Sequence, residues 1–204
     1  MYTSRTRKLI IFLGKLECGF SIFCYKKASQ AENDQRFELA QRLWRQAKQE
    51  DAHARMLWGL LDGKRPITGK DVVFANPDYF VEQPAMDLGN RQLQIMDGIS
   101  QRYKTAQAFF AGVKPSNLGW GDTLAFMTVG EAFGNIFYRW LLILGSPNQV
   151  QAVLSKIASD EKAHRNYLWE ALVEDTGCFL ATLLIAKWTI RLVKALFYAV
   201  YDLP

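Results

Sequence analysis

The chain has 204 residues, half of them hydrophobic and 22% charged, with a net charge of +5. That length fills one domain, the balance excludes a disordered chain, and no basic stretch interleaved with aromatics marks a nucleic-acid surface. Three cysteines, Cys18, Cys24 and Cys178, form no CxxC pair, which argues against a disulfide framework or a structural zinc site and for a reducing, cytoplasmic setting.

The basic start resembles a signal peptide only superficially, because Lys15 and Glu17 interrupt the apolar run. Helical periodicity dominates from there on, and no uncharged apolar run reaches the length of a spanning helix. A first helix is predicted over residues 5–29, with Ile10, Leu13, Glu17, Phe20 and Cys24 on one face. Residues 30–35 turn the chain, and Asn33 or Asp34 is placed to cap a second helix that runs to Leu61. Asp62-Gly63 and Pro66 end it. Pro66, Gly69, Pro77 and Pro84 exclude one continuous helix over 64–87. A connecting helix follows over about 86–111, broken by the stretch from Gly112 to Gly121. Two more helices, 122–144 and 148–174, meet at Gly145-Ser146-Pro147. Gly177 precedes a last one, 178–201.

Four of these helices carry an acidic residue in the middle of an apolar face. Glu50-Asp51-Ala52-His53 and Glu161-Lys162-Ala163-His164 repeat one spacing, Glu-x-x-His. Three residues turn a helix by about 300°, so each Glu and its His point the same way, one turn apart. Glu17 precedes Glu50 by 33 residues and Glu131 precedes Glu161 by 30, intervals that suit a helix, a tight turn and an antiparallel return. Isolated buried carboxylates are costly, and four of them converging on one core call for cations. A single Glu-x-x-His is more often a surface ion pair, but here both histidines of the chain fall in this motif, each with an upstream apolar-embedded Glu. Six ligands dominated by carboxylate suit iron, with a mixed manganese–iron pair as the alternative, better than zinc.

On these residues the chain resembles the ferritin-like di-iron carboxylate proteins, and its intervals are most similar to rubrerythrin-type bundles. The resemblance covers about 5–62 and 120–175. It implies an all-α, antiparallel four-helix bundle (1–175), to which the sequence itself adds a long crossover (64–118) containing an inserted helix and a C-terminal amphipathic helix (176–204). It also implies two iron ions, with Glu50 and Glu161 bridging, Glu17 and His53 completing one coordination sphere, and Glu131 and His164 the other. By the same analogy Asp160 orients His53, and Gln49 does so for His164 more weakly. Three features depart from the family. The CxxC motifs of a rubredoxin-like domain are missing, Thr128 stands where rubrerythrins carry an additional glutamate, and the crossover is long. The resemblance carries the fold and the ligand set but not the reaction. The expected activity is an oxidoreductase activating dioxygen or peroxide with an unidentified electron donor, with an oxygenase or oxidase acting on a hydrophobic substrate as its favoured version. The alternatives are peroxide reduction of the rubrerythrin kind and ferritin-like iron storage, with a homo-oligomeric chain expected.

Several other residues carry weaker signals. Tyr138, two turns beyond Glu131, is a candidate to bond a ligand or relay an electron, although a packed core aromatic is the simpler reading. Gly130 and Gly134 either leave room beside the metals or serve close helix packing. Cys18 and Cys24 read as packed thiols. In the last helix Lys187, Arg191 and Lys194 share one face with much apolar surface around them. Packing on the bundle or on a second subunit is the first reading, and peripheral contact of 178–201 with an anionic membrane is the other.

Overall fold

The computed structural model describes residues 4–62, 104–144 and 148–202; the proline-containing segment 64–87 and the expected helix before Lys104 lie outside the described residues. Among the described residues there are six α-helices, two short 3-10 turns and no strand. The helices are α1 (Ser4–Asn33), α2 (Phe37–Gly59), α3 (Lys104–Phe110), α4 (Trp120–Ile143), α5 (Asn148–Thr176) and α6 (Cys178–Asp202). None of them is long and apolar enough to cross a membrane. The chain gathers into two compact units. One holds α1, α2 and Leu141–Ile157; the other holds α3, α6 and the remainder of α4 and α5.

In the first unit α1 and α2 form an antiparallel hairpin. The contacts run in opposite directions along the two helices. The Tyr25 ring meets Trp44 edge-on at 5.1 Å, the Ser21 hydroxyl donates to the Ala47 carbonyl at 2.8 Å, and Gly14 faces the Trp58 indole. The apolar rows that the periodicity picks out are buried here, with Ile10, Leu13 and Cys24 on α1 and Leu43 and Leu57 on α2. The turn between the helices differs from the expected one. Asn33 still belongs to α1, so it cannot cap α2. The N-cap residue is Arg36, which makes no side-chain capping bond. Backbone groups close the turn instead: the Arg36 amide donates to the Ala31 carbonyl at 2.7 Å, and Gln35 adopts a left-handed φ of 60°.

In the second unit α4 and α5 also run antiparallel. The Asn135 amide donates to the Ala158 carbonyl, Gly134 faces Glu161, and Gly121 lies against Thr176. Gly177 takes a φ of 78°, which ends α5 and starts α6 within one residue. The fully buried Trp188 anchors α6. Its indole sits among Phe109, Phe110 and Phe126 with ring centroids 5.3–6.0 Å away, and its Nε1 donates to Asp122 at 2.8 Å. Lys187 donates to the same carboxylate oxygen at 2.7 Å. Burial alone would raise the Asp122 pKa, but these two hydrogen bonds and the lysine charge outweigh it and hold the carboxyl below its usual value.

Candidate metal centre

Each unit builds its own buried cluster from residues that the sequence reading singled out. In the first, α1 supplies Glu17 and α2 supplies Glu50 and His53. All three are buried, and each offers a ligand atom within 4.8 Å of those of the others. His53 Nδ1 lies 3.0 Å from Glu50 Oε2 and 3.6 Å from Glu17 Oε2. The i,i+3 spacing on α2 brings the first pair together, and the antiparallel return brings in Glu17. Burial pushes the Glu17 carboxyl up to about 7; His53 opposes that rise, and the neighbouring Glu50 adds to it.

The second unit repeats the arrangement. Glu131 on α4 joins Glu161 and His164 on α5, all buried and again within 4.8 Å of one another, with His164 Nδ1 3.5 Å from Glu131 Oε2. Gly134, one turn past Glu131, makes space for this cluster: a Cβ there would stand 3.1 Å from Glu161 Oε2. Of the two readings of Gly134, room beside the acidic cluster is thus the one its surroundings support. Thr128, at the position where the resembling family has an additional glutamate, turns its hydroxyl back onto the Leu124 carbonyl at 2.7 Å and adds no ligand.

The donor set fits a metal. Two carboxylates and an imidazole, desolvated together, concentrate negative charge that a divalent cation neutralises. Such ions hold nitrogen and oxygen ligands at about 2.0–2.2 Å, so ligand atoms already within 4.8 Å of one another need only a small closure to share one.

Gln46 escaped the sequence reading although its signal was present: it lies four residues before Glu50, on the same face of α2. Its buried amide donates to Glu50 Oε1 at 3.0 Å and fixes the carboxylate that also meets His53. Gln49 and Asp160, the residues expected to orient histidines, are both half-buried. Tyr138 is buried in α4 with its ring 6.1 Å from that of Phe137. Cys24 is buried and Cys18 half-buried; burial, with Asp51 adding to it and Arg55 opposing it, raises the Cys18 thiol, which keeps it protonated.

In the same unit α4, α5 and α6 border a groove of about 450 Å³ that none of the three cluster residues lines. Its walls are largely apolar, with Ala132, Ile136, Trp169, Ile185 and Leu192 among them, and Arg165 borders it. Ala132 and Arg165 are the direct neighbours of Glu131 and His164 in the chain. Among the described residues the Arg165 guanidinium bonds only to Asn166 Oδ1, through Nε at 3.3 Å and Nη2 at 2.8 Å. This groove could not be read from the sequence, because it arises from the way α6 leans on α4 and α5.

Comparison with protein-family models, curated proteins and solved structures returned no match to this chain.

Proposed function

We propose that the chain is a non-haem di-iron oxidoreductase of ferritin-like, four-helix-bundle type, using dioxygen or peroxide to oxidise a hydrophobic substrate. The observation that carries this reading is the duplication. Two buried Glu/Glu/His triads, each built from a lone Glu and a Glu-x-x-His on an antiparallel helix pair, match a dinuclear centre better than any single-ion site. In this reading Glu17, Glu50 and His53 would hold one iron, and Glu131, Glu161 and His164 the other. Asp160 and Gln49 would orient the histidines, and Tyr138, two turns beyond Glu131 in the sequence, would be the redox-capable side chain. When bound, iron supplies the electrons that dioxygen or peroxide accepts.

The residues of the chain do the rest. Gln46 holds Glu50 in one orientation, and the burial of each triad keeps water away and strengthens its electrostatics. The groove in the second unit, lined by the chain neighbours of Glu131 and His164, supports the hydrophobic-substrate version. Its volume lies in the usual range for small-molecule sites, about 300–1,000 Å³, and its walls suit an aliphatic body. Arg165 at its edge favours an anionic head group.

The test is metal content and turnover on the full-length chain. Anaerobic loading with ferrous iron is expected to give about two irons per chain, with the spectroscopic signature of a coupled pair. The Glu50→Ala, Glu161→Ala double variant should bind neither. Reduced protein should consume dioxygen or peroxide faster when a long-chain aliphatic compound is present. Many irons per chain in a cage-sized assembly would replace this reading with storage, and turnover of peroxide alone would replace it with peroxide reduction.

A further inference from the structure

We infer that α6 is a membrane-surface helix, which seats the protein on an anionic bilayer without crossing it. The helix has two apolar rows on opposite sides. Ala181, Trp188 and Ala195, seven residues apart, are buried and hold α6 to its unit. On the other side stand Phe179, Leu183, Ala186, Ile190, Val193 and Phe197, all exposed, with Phe179 at 79%, Ile190 at 59% and Phe197 at 74%. Alternating steps of four and three residues keep this outer row within about 40° of one line along the helix. So long a continuous apolar row facing solvent marks an interaction surface.

Two occupants suit such a row: a second copy packed as a coiled coil, or a lipid surface. The charges favour lipid. From Cys178 to Tyr201 the sequence contains no acidic residue. Lys187 and Lys194 flank the outer row on one side, and Thr182 and Thr189 flank it on the other. A homotypic seam would have no interhelical salt bridge to gain. Paired antiparallel, it would set the lysines of the two copies against each other. An anionic bilayer fits both features, taking the phenylalanines at either end of the row and the cations alongside it at head-group depth. Lys187 is already held by Asp122, and Arg191 lies over the Trp188 ring at 4.6 Å, still half-exposed. Arg191 and Lys194 are therefore the cations left to meet the surface. The groove described above draws Ile185, Thr189 and Leu192 from the threonine side of the same helix, so it lies next to the bilayer-facing row.

The inference is independent of the iron reading and is tested without turnover. The full-length chain is mixed with sedimentable vesicles of phosphatidylcholine, with and without phosphatidylglycerol. About two interfacial cations predict binding about thirtyfold tighter to the anionic vesicles, reduced by high salt. The Phe179→Ser, Phe197→Ser variant should lose most of the binding while keeping the circular dichroism spectrum and iron content of the parent. Lys194→Glu, which leaves the apolar row intact, should lose the preference for anionic lipid. A parent chain that stays in the supernatant with anionic vesicles at low salt overturns the inference, as does equal binding by the double-serine variant. So does a stable dimer that Ile190→Asp dissociates while vesicle binding is absent throughout.

Discussion

Replacing Gly134 by alanine separates the stability of α4 from the cluster that α4 accommodates. Gly134 lies in the helix interior, where alanine is intrinsically favoured by about 1 kcal/mol. The new Cβ would stand 3.1 Å from Glu161 Oε2 and 3.6 Å from the carboxyl carbon, so the carboxylate must give way by a few tenths of an ångström. That carboxylate ends a flexible side chain and yields by rotating, without moving either helix. In the metal-free protein the helix gain should therefore win, raising Tm by about 2–4 °C for a chain of this size. With iron present the sign reverses. A ligand has to hold its distance to the ion to within about 0.2 Å, so a Glu161 displaced by a few tenths of an ångström should weaken iron binding about tenfold. Calorimetry of the apo chain and titration with ferrous iron measure the two effects separately. A Tm several degrees below the parent would show that helix packing, not a mobile carboxylate, meets the new methyl group. Unchanged iron affinity would remove Glu161 from the ligand set.

Three further substitutions probe the same physics elsewhere. Gly14→Ala should behave in the opposite way: its Cβ falls on the rigid indole of Trp58, with Cδ1 only 2.6 Å away, so α1 and α2 have to part at a cost of about 1–3 kcal/mol, read by urea denaturation. Gln46→Leu removes the donor to Glu50 and should lower iron affinity about 10–100-fold with little change in helicity, measured by competition with a chelator. Lys27 is buried, and burial lowers its pKa from 10.5 to about 8, with Lys26 adding to the shift and Asp34 opposing it. Below pH 8 both folded and unfolded chains carry the proton, and the buried ammonium costs about 3 kcal/mol. Between pH 8 and 10.5 the unfolded chain binds more protons, so this contribution makes stability rise with pH across that window. Lys27→Met should be more stable at pH 7 and should lack that rise, as the difference between the two denaturation profiles will show.

What could be read from the sequence divides according to the range of the interactions. Glu-x-x-His is a property of a single helix, and a Glu one hairpin arm away needs only an antiparallel return, so both triads are legible in the sequence alone. Helix ends set by a local backbone conformation were equally legible: Gly177, with φ of 78°, stops α5 where the pattern said it would. The turn after α1 is not legible, because Asn33 and Asp34 have the composition of a cap while the turn is closed by Gln35 in a left-handed conformation, a residue with no such signature. Gln46 shows a subtler limit. Its i,i+4 relation to Glu50 was visible, but a glutamine on a helix face has many uses, and only its burial against the carboxylate selects one. The groove and the outer face of α6 depend on how one helix lies across two others, which no periodicity encodes. Periodicity did place Lys187, Arg191 and Lys194 on one face of α6, yet it could not say which apolar row was already covered. Trp188 settles that point. A fully buried indole bonded to Asp122 fixes the rotation of the helix about its own axis, and with it the row that Phe179 and Phe197 turn outward.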